Sequence, residues 1–562
     1  MLPASESHVH PYVRRHRQTR SLPTIIEPLL FSCRAANLRC TIMQPPSLEE
    51  RDHYYEGLPS RPRLVARSSV TPWRGAIPPE RLRYHQKRLA HVGNHPVVEA
   101  WNGSAAEGSL RASVLDALSG TDWTAVDILR VGYADDSPMP VVLMISVNPN
   151  AVLFKDGSAI VRRCKQLLDG VGLHGVECEI RESEVSNLLA SSSAPPLLPQ
   201  LSHFTPARLT FRPDRDVSDR IRTCIASYDS LAVEGTKCLY LAVKREGQDR
   251  ETIAVLTCRH VAVAMDHDEQ KDCCLGTTTS KKLVQVGKTT FSKHFAMLQN
   301  MVQYYNDRIS ATEARRDILL STPEESEASL RKLHNDRAPY QASLDRLRLM
   351  EEPSSRVFGH LLYARSYGIR EGSGKDGWLS DWALFELHQE KFKQPLSSLT
   401  NQILMDSLPS ETTDLAYAMQ PDADREMFEK GVELSLSGII AETSMVNPPD
   451  MGLCHESGLV VAKLGGKSNL TLGCSNEVNS VTRRPFGDRK ISEEWCIVSI
   501  DGEGKFSKPG DSGACVFDLN GRIGGMITSG NGKDSAQDIT YATPMERLLR
   551  DIEASGFKVR VL

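Results

Sequence analysis

The spacing of apolar positions changes along this chain, and each change marks an element. Trp123–Tyr133 and Pro140–Val147 are apolar-rich runs that predict strands. Between Lys155 and Gly172, Ile160, Val161, Cys164, Leu167 and Leu168 recur at helical spacing, and Val176–Ile180 reads as a third strand. Together these predict a small α/β module over residues 84–190, followed by a Pro/Ser-rich linker over 191–207. Residues 1–83 read as a disordered or linker region, because Pro, Arg and Ser dominate after the first forty residues. Further on, Thr252–Thr257 is an apolar, β-prone run, and the small residues after His260 suit a helical turn. Leu298, Met301, Tyr305 and Ile309 keep one helical face. Thr322-Pro323-Glu324-Glu325 is a capping box with proline at the first helical position, and Leu330 to Leu347 continue that helix past a kink at Pro339. An antiparallel helical hairpin is therefore expected over about 291–352. Leu459 to Gly473 reads as a β-hairpin, and Met545, Leu548, Leu549 and Ile552 predict a terminal helix from Pro544 to about Ala554.

At 562 residues the chain is too long for one core, and length alone predicts two to four domains. A formal net charge of -4 gives no reason to expect a nucleic-acid partner. No apolar run approaches the length of a membrane-spanning helix, so no membrane association is expected. The 13 cysteines are odd in number and scattered, with one adjacent pair, Cys273-Cys274, which fits reduced thiols better than a disulfide framework and predicts a cytoplasmic protein. The first forty residues carry six arginines, Arg14 to Arg39, opposed only by Glu6 and Glu27. That leader fits a mitochondrial targeting segment, a disordered tail or a later start at Met43; the last two are preferred. Asn102-Gly103-Ser104 and Asn469-Leu470-Thr471 match a glycosylation pattern without a secretory context and are read as incidental.

Candidate chemistry concentrates in three short stretches. Lys508-Pro509-Gly510-Asp511-Ser512-Gly513-Ala514 presents a serine on a Gly-bounded turn, with a strand starting at Cys515. A serine hydroxyl needs a base to take its proton and donors to hold the oxyanion that forms. His260 follows the apolar run at a strand end, where a rigid element can aim its ring. Asp381, in Gly377-Trp378-Leu379-Ser380-Asp381-Trp382-Ala383, heads a mostly apolar strand, where a buried carboxylate could fix the histidine tautomer. Singly, each has an ordinary reading: a satisfied strand-end histidine, a turn acid, a hairpin serine. Their joint order and flanks favour the catalytic reading.

Thr257-Cys258-Arg259-His260, Asp381-Trp382-Ala383-Leu384 and Gly510-Asp511-Ser512-Gly513, in the order His, Asp, Ser, resemble the trypsin/chymotrypsin-like serine peptidases, in particular an intracellular branch without the secreted disulfide framework. The α/β-hydrolases and subtilisins use other orders. The resemblance covers roughly residues 208–562 and implies a mainly β fold. That fold is a double antiparallel β-barrel of trypsin-like type with the helical hairpin as an insertion, beside the small N-terminal α/β module. Two six-stranded barrels are implied, the first from about residue 220 to Asp381 and the second to about 543, with the active site between them. It further implies that Ser512 attacks the scissile carbonyl, that His260 is general base and then acid, and that Asp381 orients it. The N–H groups of Gly510 and Ser512 would form the oxyanion hole. Phe506, Thr528, Ser529 and Gly530 would belong to the substrate-binding wall, with Thr528 supporting the aspartate.

Three departures from the family pattern stand out: Val261 follows the histidine where a cysteine is usual, Phe506 occupies the position six before the nucleophile that often sets side-chain preference, and Pro509 precedes the oxyanion-hole glycine. Phe506 argues against a pocket for basic side chains. Rival sites are weaker. Cys258, His260, Asp266, His267, Asp268, Cys273 and Cys274 fit no common zinc spacing, so no metal is expected. Gly465-Gly466-Lys467-Ser468 lacks the first glycine of a phosphate loop, and Cys515 falls on the strand behind the turn. No cofactor is indicated. The expected activity is an endopeptidase acting on a protein or peptide substrate. The alternatives are a silent peptidase-fold scaffold that binds a protein partner or self-associates through the helical insertion and N-terminal module, and self-cleavage near residues 190–206.

Overall fold

A computed structural model describes residues 44–75, 86–103, 108–133, 136–189, 221, 223–263, 271–274, 281–317, 323–371, 377–405, 413–414, 416, 433–448, 458–483, 490–502, 504–533 and 536–562. The basic leader, Thr322, the 191–207 linker and the candidate ligands Asp266, His267 and Asp268 lie outside these residues.

The apolar run Val460–Gly465 and the alternating strand Asn469–Ser475 pair in full register from Val460↔Cys474 to Gly465↔Asn469, as the hairpin reading required. Asn469, at φ 57°, supplies the left-handed residue that ends the turn. Hydrogen-bonded pairing then runs from Asn469–Ser475 to Ile491–Ser499, Ala536–Pro544, Ile523–Lys533 and Cys515–Asp518, and back to Val460–Gly465. Six antiparallel strands thus close a barrel, which leaves no unpaired core edge. The protein is mainly β, as its sequence predicts.

A second antiparallel sheet faces it. Its order is Phe557–Val561, Tyr240–Arg245, Glu251–Thr257, Ala383–Leu387, Val357–Ala364, Lys282–Gln285, Cys224–Ser227 and Glu234–Thr236, with Cys273–Cys274 added to Val357–Ala364. Among the described residues nine strands, not six, make this sheet, and Ala383–Leu387 and Phe557–Val561 carry it past Asp381. The terminal helix Met545–Glu553 buries Met545, Leu548 and Ile552, and the chain then returns to pair Phe557–Val561 with Tyr240–Arg245. One apolar cluster, including Trp382, Leu384, Phe517, Met526 and Leu548, runs through both sheets.

Between the paired strands Lys282–Gln285 and Val357–Ala364 the chain leaves as helices Lys288–Asp317 and Pro323–Arg348. Two small clusters zip them, Phe291, Leu298, Val302, Leu344 and Leu347 near the base and Met301, Tyr305, Ile309, Leu330 and Leu333 farther out. The second helix continues through Pro339. No helix among the described residues is long and apolar enough to cross a membrane. The described cysteines are all free thiols.

The N-terminal strands extend the barrel. Val141–Val147, helix Phe154–Gly170 and Glu177–Glu182 form a parallel crossover, with Trp123–Tyr133 antiparallel on the other side of Val141–Val147. Trp123–Tyr133 also pairs with Ser480–Arg483, which pairs with the barrel strand Ile491–Ser499. Residues 44–75 correct the reading of that stretch as disordered or linker. They hold helix Leu48–His53, capped by Ser47, and strand Arg63–Arg67, paired with Glu177–Glu182. Composition misled because the order comes from distant partners: the Tyr54 and Tyr55 hydroxyls both donate to Glu179, at 2.5 and 2.6 Å.

Buried polar groups lock the N-terminal sheet to the barrel. Arg181 pairs with Asp538 at 2.9 Å, both side chains wholly buried, and Ser60 donates its N–H and hydroxyl to the same carboxylate. Asp127 accepts from Ser480 and Tyr541 at 2.5 and 2.9 Å. Burial raises the pKa of both aspartates, with Arg181 opposing the shift. Removing one partner of a buried pair strands the other charge, at a cost of about 3–5 kcal/mol. Asp538→Ala is therefore expected to lower the unfolding free energy by about that much, measured by urea unfolding; a change under about 1 kcal/mol would show that this joint is dispensable.

Candidate active site

Register alone brings two of the candidates together. Thr257 pairs with Ala383 in neighbouring antiparallel strands, so the residues after Thr257 and before Ala383 emerge at the same sheet end. There the chain makes a four-residue helix, Arg259–Ala262, while Asp381 sits just behind strand Gly377–Ser380. The Asp381 carboxylate receives the His260 backbone N–H at 3.1 Å and faces His260 Nδ1 at 2.5 Å. A carboxylate facing Nδ1 favours the tautomer that carries its proton there and presents Nε2 as the acceptor. His260 Nε2 is buried and has no hydrogen-bond partner among the described residues. Arg259 anchors the helix by donating to the Ala364 and Arg365 carbonyls at 3.2 and 2.9 Å.

Ser512 arrives from the closed barrel, on the turn before strand Cys515–Asp518. Gly510 and Gly513 bracket it at φ 101° and 89°, values that a side chain would strain. A Cβ on Gly513 would also overlap the Thr236 carbonyl and the Thr257 hydroxyl, so this turn presses against the other sheet. Thr236 fastens the contact: its N–H donates to the Ser512 carbonyl at 2.7 Å and its hydroxyl to the Gly510 carbonyl at 2.8 Å. Pro509 precedes a turn whose Gly510 and Ser512 N–H groups point the same way. Both donate to the Leu188 carbonyl oxygen, at 2.6 and 3.4 Å. The Ser512 hydroxyl donates to the Thr528 carbonyl at 3.2 Å, so its bond to His260 is not made in this state. Catalytic hydrogen bonds commonly tighten only when substrate is engaged.

Asp511, between the glycine and the serine, is the hidden support of this turn. It accepts from the Lys508 and Lys467 N–H groups at 2.9 and 3.1 Å and from the Ser468 hydroxyl at 2.6 Å. It also pairs with Lys463 at 3.1 Å, both side chains fully buried. Burial pulls the Lys463 pKa below the ordinary lysine value, and Asp511 opposes that pull. Lys467 reaches across to Glu234, whose carboxylate also caps the base of the helical insertion through Thr290, at 2.9 and 2.7 Å. Sequence reasoning missed this clasp; the signal was a lysine in the middle of an otherwise apolar strand.

The remaining candidates lie buried near this turn. The Thr528 hydroxyl bonds the Tyr541 carbonyl at 3.5 Å, and its own carbonyl receives Ser512. Ser529 and Gly530 do not face solvent: they pair with Asn187 and Ser186 of the chain's own strand Glu184–Asn187. Phe506 lies buried in the cluster that contains Leu188, Trp495, Ala514 and Ile527. Of the metal-site rivals, Cys258 and His260 lie close together, beside Asp381, which is not one of them. The 2.5 Å contact between His260 and Asp381 is shorter than two ligands around one ion allow, and the Cys258 thiol donates instead to the Ile527 carbonyl at 3.2 Å.

Neither a protein-family model nor a curated protein sequence matches this chain. Among solved structures it is similar to a glutamic acid specific serine protease described as using a histidine triad in substrate binding, at 10% identity and TM-score 0.28, over 60% of this chain and 97% of that one. Thermobifida fusca Protease A matches at 9% identity and TM-score 0.26, over 58% and 92% of the two chains. Cellulomonas bogoriensis chymotrypsin matches at 13% identity and TM-score 0.21, over 37% and 79%. At these identities and TM-scores the likeness is distant.

Losing one oxyanion donor typically costs about 10²–10³ in rate. Lys463→Met, which frees Asp511 to move the Gly510 turn, is expected to slow acylation of Ser512 by a factor approaching that range, while Lys463→Arg retains most of it. Stopped-time labelling with a serine-reactive phosphonate measures both; equal rates in all three proteins would remove Lys463 from the support of the site.

Proposed function

We propose that this chain is a serine endopeptidase working through an acyl-enzyme intermediate. The observation that carries the reading is the convergence of the Gly510 and Ser512 N–H groups on one carbonyl oxygen, beside a buried His260–Asp381 pair. In this reading Ser512 Oγ gives its proton to His260 Nε2 and attacks a peptide carbonyl carbon. The oxyanion forms where the two N–H groups point, so they stabilise charge that exists only in the transition state. Asp381 holds the ring in the tautomer with a basic Nε2 and favours the imidazolium that follows. That imidazolium then protonates the leaving amine. A substrate strand would pair with Ser529 and Gly530, and its side chain before the scissile bond would enter the apolar surroundings of Phe506. Leu, Met or Phe suit such a pocket; Lys and Arg would bury an unpaired charge.

One observation favours the second reading, a silent scaffold: Ser512 donates to the Thr528 carbonyl and the site is closed, with His260 2% and Ser512 0% exposed. A fluorophosphonate probe separates the two. Wild-type protein and a Leu188→Asp variant, which weakens the occupant of the pocket, are treated beside Ser512→Ala and His260→Ala. Labelling of either of the first two is expected, lost in Ser512→Ala and slowed by at least about 10³-fold in His260→Ala. If folded wild-type and Leu188→Asp proteins both stay unlabelled, the peptidase reading falls and the scaffold remains.

A second outcome concerns Asp381. Replacing the orienting carboxylate by an amide leaves the shape intact but favours the wrong tautomer, which costs about 10⁴ in rate in the best-studied triad. Asp381→Asn is expected to label slower by about 10³–10⁴-fold with an unchanged unfolding midpoint. A loss under tenfold would mean that His260 does not act as the base.

A further inference from the structure

The chain's own residues 184–189 lie in the cleft as a substrate would, and we propose that the Leu188–Leu189 peptide bond is the protein's own cleavage site, cut in cis by Ser512. This rests on the peptidase reading and adds its first substrate.

Three independent contacts place the segment. First, Glu184–Asn187 pairs antiparallel with the half of strand Ile523–Lys533 that lies beyond its pairing with Cys515–Asp518, in the register Ser529↔Asn187, Gly530↔Ser186, Asn531↔Val185 and Gly532↔Glu184. Adding a strand to a sheet edge is how an extended peptide is held by its backbone, with alternate side chains read by pockets. Second, the next residue, Leu188, is fully buried in the apolar cluster containing Phe506, Ala514 and Ile527, which lies directly behind the reactive turn. Third, the Leu188 carbonyl oxygen is the atom on which the Gly510 and Ser512 N–H groups converge, at 2.6 and 3.4 Å. The longer of these bonds lies beyond the usual N–H···O range, as expected when donors are set for the oxyanion and not for the resting carbonyl. A structural strand would need only the first contact. The second and third put one particular carbonyl at the nucleophile, and they fix the polarity of the chain: Leu188 supplies the acyl group and Leu189 the leaving amine.

The chemistry closes without a co-reactant other than water. Rotation of the Ser512 hydroxyl away from the Thr528 carbonyl toward the unpartnered His260 Nε2 activates it. Oγ bonds to the Leu188 carbonyl carbon as its proton passes to Nε2. The C–N bond to Leu189 breaks, and the same proton goes to the new Leu189 amine. Water then attacks the Leu188 ester, giving its proton to His260, and Ser512 recovers its hydroxyl proton as the acid is released. One peptide bond and one water become a carboxylate at Leu188 and an ammonium at Leu189. The linker at 190–206, near which self-cleavage is one alternative reading of the sequence, lies outside the described residues; the bond held at the serine is immediately upstream of it.

The test is expression of the full chain as wild type and as Ser512→Ala, followed by denaturing electrophoresis, intact mass and N-terminal sequencing. Two fragments in the wild type, ending at Leu188 and beginning Leu189-Ala190-Ser191, with Ser512→Ala entirely full length, are expected. Leu188→Asp should also stay full length, and probe labelling of that variant shows whether it has kept its active site. Mixing cleaved wild type with tagged Ser512→Ala should leave the tagged chain intact. Fragments from Ser512→Ala as well would assign the cut to a host protease and overturn the inference. So would a boundary elsewhere, or rapid cutting of the tagged chain in trans. Wild type that stays intact while Leu188→Asp labels at Ser512 would also overturn it and leave the peptidase reading standing, with residues 184–188 as a bound inhibitor. An intact wild type with no labelling in either protein overturns both.

Discussion

The five-residue turn from Pro509 to Gly513 must aim two backbone N–H groups at one point while pinned inside an interface, and much else in the molecule serves that constraint. No side chain can supply those donors, so the backbone itself has to be held. Asp511 does this from within the turn, tied to Lys463 and to the tip of the Val460–Ser475 hairpin. A buried ion pair gains little net stability over an apolar pair of similar shape. What it supplies here is position: an aspartate with four partners cannot shift without breaking several bonds at once. The same hairpin tip carries Lys467, which ties Glu234 in the other sheet and, through it, the start of the helical insertion. The base of the insertion is thereby linked, through Glu234 and Lys467, to the hairpin tip that holds the Gly510–Ser512 turn.

The second constraint is that His260 and Ser512 belong to different sheets. Neither sheet alone has a site. Thr236 and Cys258 bridge the gap by bonding to the Ser512, Gly510 and Ile527 backbones, and Gly513 lets the surfaces meet without a Cβ between them. The terminal strand Phe557–Val561 closes the circuit, because the chain leaves the closed barrel through Met545–Glu553 and ends in the other sheet. The two sheets are thus joined at the site, through the shared core and by the chain end.

These features differ in how far they can be read from residues in a row. His260, Asp381 and Ser512 are legible because each sits in a short local pattern: an apolar run ending in a histidine, an acid heading a strand, a serine between glycines. The helical hairpin is legible for the same reason, since its period and capping box are local. Lys463 is visible only as an anomaly in Val460–Gly465, and its partner Asp511 only after the turn is folded. Residues 44–75 resist reading because Tyr54 and Tyr55 are ordered by Glu179, more than a hundred residues away. The strand Glu184–Asn187 resists for a deeper reason. Its pairing with Ser529–Gly532 depends on where the N-terminal sheet docks, and that is decided by the Asp127 and Arg181–Asp538 contacts, not by its own sequence.

That docking gives the occupied cleft its character. Strand Glu177–Glu182 belongs to the N-terminal sheet, and only Ser183 separates it from the segment in the cleft. Ser183 itself donates to Asn531 at 2.5 Å, so the tether is short and fixed at both ends. A peptide held this way has lost its translational freedom before any reaction begins, and such positioning is worth several kcal/mol of a bimolecular barrier. The same geometry limits what a cut at Leu188 achieves. The described strands before the bond stay anchored by the sheet and by the buried Arg181–Asp538 pair, so the break leaves them in place. A substrate arriving in trans must still displace four paired residues and a leucine whose burial alone contributes about 1.5–3 kcal/mol. Cleavage and opening are therefore separate events. On the proposed reading, release of the paired segment 184–188, and not the cut itself, sets how readily another chain can enter.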